Sequence, residues 1–170
     1  MKSCSFFGHR DTPQTEELKQ KVRETVERLI VEDGVDTFLF GSRSKFDELC
    51  HIVVTELKEK YPHIRRIAYL CKYETACLAG AGMEERRRIK EITGCDVHVR
   101  EFEEIKKSDR INSAGRASYV ERNQLMIDDS DYSIFYYDKE KSKAKSGAKI
   151  AFLYTENKKE KKRIKIINFN

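Results

Sequence analysis

Two short segments place the same chemistry at the same point of the chain's pattern. "SFFGHRD" (5–11) and "FLFGSRS" (38–44) each run an apolar, strand-like stretch into a glycine, a polar residue and an arginine. A glycine after a strand lets the backbone turn tightly and approach a ligand closely. Backbone N–H groups at the start of the next helix favour an anion, and a guanidinium adds a fork of donors suited to phosphate. Gly8, His9 and Arg10, with Gly41, Ser42 and Arg43, are therefore expected to line one wall of an anion-binding site. Neither a GxGxxG fingerprint nor a P-loop is present.

A second constellation lies in "SAGRASYVERNQLMIDDSDYSIFYYD" (113–138). Arg116, Glu121, Arg122 and Asn123 fall at or near the amino end of a helix, whose spacing puts Tyr119, Arg122 and Asn123 on one side. Glu121 beside Arg122 is the candidate catalytic pair, an acid next to a phosphate-holding cation. Asp47, Glu48 and Asp138 are further carboxylates to weigh. The following strand ends in Tyr136, Tyr137 and Asp138, where an aromatic ring or a carboxylate meets a base or ribose. In "KAKSGAKIA" (143–151), Ser146 and Gly147 open another helix between Lys145 and Lys149, a second phosphate cradle. Each residue also has a plainer use: turn glycines, surface ion pairs, solvated lysines.

These residues need a scaffold, and the hydrophobic pattern supplies one. "CSFF" (4–7), "DTFLF" (36–40), "IRRIAYLC" (64–71), "DVHVRE" (96–101), "DYSIFYY" (131–137) and "IKIINF" (164–169) read as strands. Helical spacing marks 14–32 (Leu18, Val22, Val26, Leu29, Ile30), with Thr12 as cap, Pro13 in the first turn and Gly34 as stop. It also marks 45–60 (Phe46, Leu49, Ile52, Val53, Leu57), ended by Pro62, and 83–93, 116–128 and 148–157. In 116–128, Tyr119, Leu125 and Met126 are expected to face inward. Residues 102–113 read as an irregular polar stretch, and 138–147 as a loop over the site. Strand and helix alternate, so the fold class is α/β: a Rossmann-like three-layer sandwich with a mostly parallel sheet of about six strands. Residues 1–170 are expected to form a single domain. In such sheets ligands bind outside the strand carboxyl ends, where both Gly-polar-Arg turns fall.

Composition narrows the classes. No apolar run approaches the ~18 residues of a membrane span, and the N-terminus reads as a first strand rather than a signal peptide. The five cysteines form no CxxC, and their odd number argues against a disulfide framework; a reducing cytoplasm is the expected compartment, with no metal and no cofactor. The net charge of +5 is uneven, because residues 139–170 alone carry +8. That basic C-terminal stretch suits nucleic acid or a phosphorylated ligand, although "ENKKEKKRIK" (156–165) also reads as the solvated end of a helix.

Taken together, "FFGHR", "FGSRSKFDELC", "YVERNQLMIDDSDYSIFYYD" and "SGAKIAFLYT" resemble the YpsA-like proteins of the SLOG superfamily, which also holds the lonely-guy (LOG) phosphoribohydrolases and the DNA-processing protein DprA. The resemblance covers nearly the whole chain. It implies a Rossmann-like fold with a pocket for nucleotides or nucleotide-derived ligands, lined by the two Gly-polar-Arg turns. It matches "YVERN" to the helix bearing a ligand-facing arginine, here Arg122, with Asn123 beside it. It also implies a homodimer, as is common among LOG proteins. LOG hydrolases carry PGGxGTxxE at the late turn, where this chain has "KSGAKIAFL", so the catalytic Glu is absent from that place.

The expected function is binding of a nucleotide or nucleotide-derived small molecule, ADP-ribose-like signals included, by a sensing or sequestering module. The alternatives are hydrolysis of the N-glycosidic bond of nucleoside phosphates and binding of single-stranded DNA. Nucleic acid is the lesser partner, since stacking residues interleaved with basic ones are not evident.

Overall fold

The computed structural model describes residues 1–41, 44–71, 77–78, 82–93, 100–107, 116–138, 146–162 and 164–169. Its strands are β1 (Lys2–Gly8), β2 (Val35–Phe40), β3 (Arg65–Leu70), β4 (Cys77–Leu78), β5 (Glu101–Phe102), β6 (Glu104–Lys107), β7 (Tyr132–Tyr136) and β8 (Lys165–Asn168). Its helices are α1 (Glu16–Val31), α2 (Lys45–Lys60), α3 (Met83–Thr93), α4 (Arg116–Asp128) and α5 (Gly147–Lys162). Six strands form one sheet in the order β6-β3-β2-β1-β7-β8, every pairing parallel. β4 and β5 make a separate parallel pair.

Period-2 alternation in the central strands decides which side chains meet which helices. Cys4 and Phe6 of β1, Phe38 and Phe40 of β2 and Ile134 of β7 join the buried residues of α1 and α2 in one core. Phe7, Leu39 and Phe135 join Leu125, Met126 and Ile127 of α4 and Ala151 and Phe152 of α5 in the other. The strands are apolar toward both layers because both faces are covered. The result is the Rossmann-like three-layer sandwich.

The chain builds outward from β1 to β6, then returns to the opposite flank of β1 to add β7 and β8. The strand order therefore reverses between β1 and β7. Their carboxyl ends, Gly8 and Tyr136, lie in register, and a crevice at such a reversal is where open α/β sheets take ligands.

Several local expectations need correction. α1 is capped by Thr15, whose hydroxyl accepts from Leu18 N at 3.2 Å. Thr12 is spent elsewhere, donating to the carbonyl of His9 at 2.6 Å, and Pro13 precedes the helix. Gly34 follows the helix with φ of +71°, a conformation that favours glycine. The fourth strand beside β3 is β6, inside the stretch read as irregular; most of 96–101 lies outside the described residues. β6 hides because it is short, flanks the sheet and carries Glu104, Lys106 and Lys107 around Ile105, the charged dress of an edge strand. Ile52 and Tyr119 are exposed rather than inward. The inward place on α4 belongs to Arg122 and Ile127 with Leu125 and Met126. α5 runs on through the lysines to Lys162.

The segment leading to β6 is held by charge. Arg66, 3% exposed, places Nη2 at 2.7 Å from Glu103 Oε1 and Nε at 3.1 Å from Oε2, and its backbone N–H also donates to Oε2. Thr55 Oγ1 accepts from Nη1, and Glu103 N donates to the Arg66 carbonyl. His51, packed edge-on to Phe40 and Phe102, donates from Nε2 to the Glu101 carbonyl at 2.9 Å and so pins β5 to α2.

Candidate functional site

The two Gly-polar-Arg turns come together. The backbone N–H of Lys45, the first residue of α2, donates to the carbonyl of Arg10 at 3.4 Å. A Cβ placed on Gly8 would stand 2.5 Å from Cβ of Phe46, so the first turn of α2 lies against the end of β1. The space a Cβ would need at Gly8 is therefore filled by protein. At Gly41 the occupants would be Met126 Sδ at 2.7 Å and Arg122 Cδ at 2.9 Å. Ser42 and Arg43 lie outside the described residues.

At the switch point, His9 joins the two strand ends. Its Nε2 accepts the backbone N–H of Asp138 at 3.0 Å. An amide can only donate, so Nε2 carries no proton and the ring proton sits on Nδ1. The imidazole also packs on Tyr137 (centroids 5.8 Å), which stacks on Phe152 of α5 at 4.8 Å. Tyr136 leans instead on Phe46 of α2. Tyr137 is thus core, while Tyr136 and Asp138 are half-exposed. Arg10 is exposed beside them. Ser146 caps α5 by accepting from Lys149 N at 3.1 Å, and Gly147 is exposed at that helix start.

One strand further on, α2 and α4 reach the end of β2 from the two faces of the sheet. Arg122, 2% exposed, lies along Gly41 with its guanidinium 5.2 Å from the Tyr119 ring and Nη1 3.6 Å from Cys71 Sγ at the end of β3. Facing it is Asp47, fully buried in the first turn of α2. Ser44-x-x-Asp47 has the form of a capping box, but only half is made: Ser44 Oγ accepts from Asp47 N, while the Asp47 carboxylate turns to Arg100 Nη1 at 2.5 Å. Oδ1 of Asp47 is buried without a hydrogen-bond partner, as is Oδ1 of Asn123. Burial pushes the Asp47 carboxyl up, against the pull of Arg100, then Arg122 and the Gly41 amide.

Glu121 is half-buried next to Arg122 on α4. Arg116 begins the same helix; its side chain is outside the described residues. Sequence reasoning gave Asp47 only a passing place among carboxylates and passed over Arg100. Asp47 had a local signal in the Ser44-x-x-Asp47 spacing. Arg100 had none, because its contact spans 53 residues.

The sequence model of the YspA SLOG family (YpsA) matches residues 3–170. The chain belongs to this family. The SPbeta prophage-derived protein YoqJ of Bacillus subtilis (strain 168) is 27% identical over 132 residues, 76% of this chain and 77% of its own. Among solved structures, DNA processing protein A (DprA) of Streptococcus pneumoniae superposes with a TM-score of 0.57 at 12% identity, over 99% of this chain and 50% of its own. DprA of Helicobacter pylori, whose structure concerns its single-stranded DNA binding mode, does so with a TM-score of 0.54 at 18% identity, over 98% of this chain. The YpsA-family chain thus spans half of one DprA chain and 64% of the other; at these identities the likeness is one of fold. Among the described residues no helix is long and apolar enough to cross a membrane.

Proposed function

We propose that this YpsA-family chain binds a nucleotide or nucleotide-derived small molecule at the carboxyl edge of its sheet, as a sensing or sequestering module. The observation that carries the reading is the His9–Asp138 tie at the β1/β7 reversal. It sets Arg10 and the amino ends of α2 and α5 around one rim, a grouping that favours an anion. Gly8, His9, Arg10, Gly41, Asn123, Tyr136, Asp138, Ser146 and Gly147 are the described residues assigned to ligand binding, together with Ser42, Arg43 and Arg116.

Thermal unfolding against AMP, NAD and ADP-ribose tests this. A ligand at 100 times its dissociation constant adds roughly 2.7 kcal/mol to stability, a rise of several degrees in Tm. No rise with any of the three overturns the reading.

A second reading is favoured by the DprA-like fold: single-stranded DNA lying along the basic α5 side. Oligonucleotide affinity would then fall with salt at a slope near −0.7 per phosphate contacted, and mononucleotides would leave Tm unchanged. The hydrolase reading asks Glu121 for an acid–base role, with Arg122 holding phosphate. It requires release of free base from AMP that stops in Glu121→Gln.

A further inference from the structure

We infer that the ring of Tyr119 is the platform on which the base of the ligand stacks, so that the molecule is held through its heteroaromatic ring as well as its anion; this rests on the nucleotide-binding reading above. Helical spacing places Tyr119 inward, yet the residue is 40% exposed, while Arg122, one turn on, is 2% exposed. The Arg122 guanidinium lies 5.2 Å from the centre of the Tyr119 ring. A buried cation under an exposed ring occupies its inner face and leaves the outer face to solvent. The cation–π contact, with the Arg122 stem laid along Gly41, holds the ring in one orientation. Little freedom then remains to be lost when a second ring is laid on it.

The ring also stands where a ligand arrives. Cys71, directly after β3, donates to the Ser118 carbonyl in the first turn of α4 at 3.6 Å, and Arg122 reaches the end of β2 at Gly41. Tyr119 therefore belongs to the carboxyl edge of the sheet, the edge at which Arg10 follows β1. Neighbouring strand ends lie ~4.8 Å apart, so an anion beside Arg10 and a ring on Tyr119 fall within the span of one nucleotide. Among the described tyrosines of this edge, Tyr137 is buried against Phe152 and Tyr136 leans on Phe46; Tyr119 is the exposed one. Asn123, four residues on along the same side of α4, carries an amide oxygen with no hydrogen-bond partner. An amide offers donors and an acceptor, which suit the polar edge of a base and not a hydrocarbon ring. Stacking on an exposed aromatic needs no enclosed cavity, and it tolerates any base because every base has a π-face.

Calorimetric titration of the wild type, Tyr119→Phe and Tyr119→Leu tests this, with AMP, NAD and ADP-ribose as base-bearing probes and ribose 5-phosphate as the probe without a base. Phenylalanine keeps the ring; leucine keeps an apolar cover over Arg122 but offers nothing to stack on. The wild type and Tyr119→Phe are expected to bind the tightest of the three base-bearing probes alike. Tyr119→Leu should bind it about 10-fold more weakly, the order of a lost base–aromatic stack, with an unchanged melting transition. Ribose 5-phosphate should show the same affinity for all three proteins. Equal binding of the base-bearing probe by the wild type and Tyr119→Leu overturns the inference and leaves nucleotide binding standing. A loss of equal size for ribose 5-phosphate, or one shared by Tyr119→Phe, assigns the effect to local structure or to the phenol hydroxyl and overturns it too. If AMP, NAD and ADP-ribose all fail to bind the wild type, the inference and the reading beneath it fall together.

Discussion

His9 and Asp138, 129 residues apart, share a hydrogen bond of 3.0 Å that joins the end of β1 to the end of β7. The two strands already pair in register up to Gly8 and Tyr136, so this contact extends their coupling into the loops. His9→Phe keeps the ring packed on Tyr137 but removes the acceptor. The Asp138 amide then loses this acceptor, at a cost of about 1–2 kcal/mol. Amide hydrogen exchange at Asp138 should accelerate in the variant, with the interior of β7 unaffected. Unchanged exchange at Asp138 would mean that the imidazole does not hold the loop.

Gly8 and Gly41 should respond differently to the same methyl group. At Gly8 the nearest atom is Cβ of Phe46, which is anchored to the backbone of α2 and cannot yield without moving the helix. Gly8→Ala is expected to cost about 1–3 kcal/mol or more. At Gly41 the obstacles are Met126 Sδ and Arg122 Cδ, both far along flexible side chains. Gly41→Ala should cost less stability but push Arg122 aside, weakening ligand binding out of proportion to the change in Tm. Denaturant titration paired with nucleotide titration of both variants separates the two effects.

The alternation of strands and helices was readable from the chain because each central strand is apolar on both faces and each long helix carries a regular stripe. α1 shows both, with Leu18, Val22, Val26, Leu29 and Ile30 all buried. β6 was not readable, since an edge strand of Glu, Ile, Lys and Lys has the composition of a loop. At the site, the positions of Gly8 and Gly41 at strand ends followed from the pattern. What fills them did not: Phe46 is 38 residues from Gly8, and Arg122 is 81 from Gly41. Tyr119 and Arg122 share a helical face, and hydrophobicity alone put the tyrosine inside. The arginine goes inside instead because Asp47 and Cys71 offer it polar company there.

Acid should weaken the fold through His51. Burial first, then the charges of Arg100 and Arg66, lower its pKa from 6.5 to about 4, against the opposing hydrogen bond to Glu101. Below pH 6.5 the unfolded chain takes up a proton that the native imidazole refuses. Stability therefore falls as pH drops from about 6.5 to 4, then levels off for this group. A gap of that size amounts to about 3 kcal/mol. His51→Gln, which keeps a donor for the Glu101 carbonyl, should flatten this part of a stability–pH curve measured by denaturant titration. An unchanged slope would remove His51 as its source.

The Arg66–Glu103 pair makes the sharpest energetic prediction. Burial alone would raise the Glu103 carboxyl, but the Arg66 side chain and backbone, with Lys58 behind them, hold it below its usual value. Its contribution is accordingly present above the ordinary carboxylate range and lost as pH falls through the depressed native value. Removing one partner leaves the other guanidinium or carboxylate in a largely enclosed place, which typically costs about 3–5 kcal/mol. Glu103→Ala strands Arg66, which is 3% exposed and, among the described residues, retains only Thr55 as a side-chain acceptor. The double variant Arg66→Met, Glu103→Leu removes both charges and should recover most of the loss, since an apolar replacement of a buried pair is often neutral. The single variant should also loosen β6, because the carboxylate accepts from the backbone of β3 just where Glu103 N returns a bond to the Arg66 carbonyl. Faster amide exchange at Ile105 in Glu103→Ala, restored in the double variant, would show that enclosure of the pair rather than its attraction holds this edge. If the double variant is as unstable as the single, the attraction itself holds it.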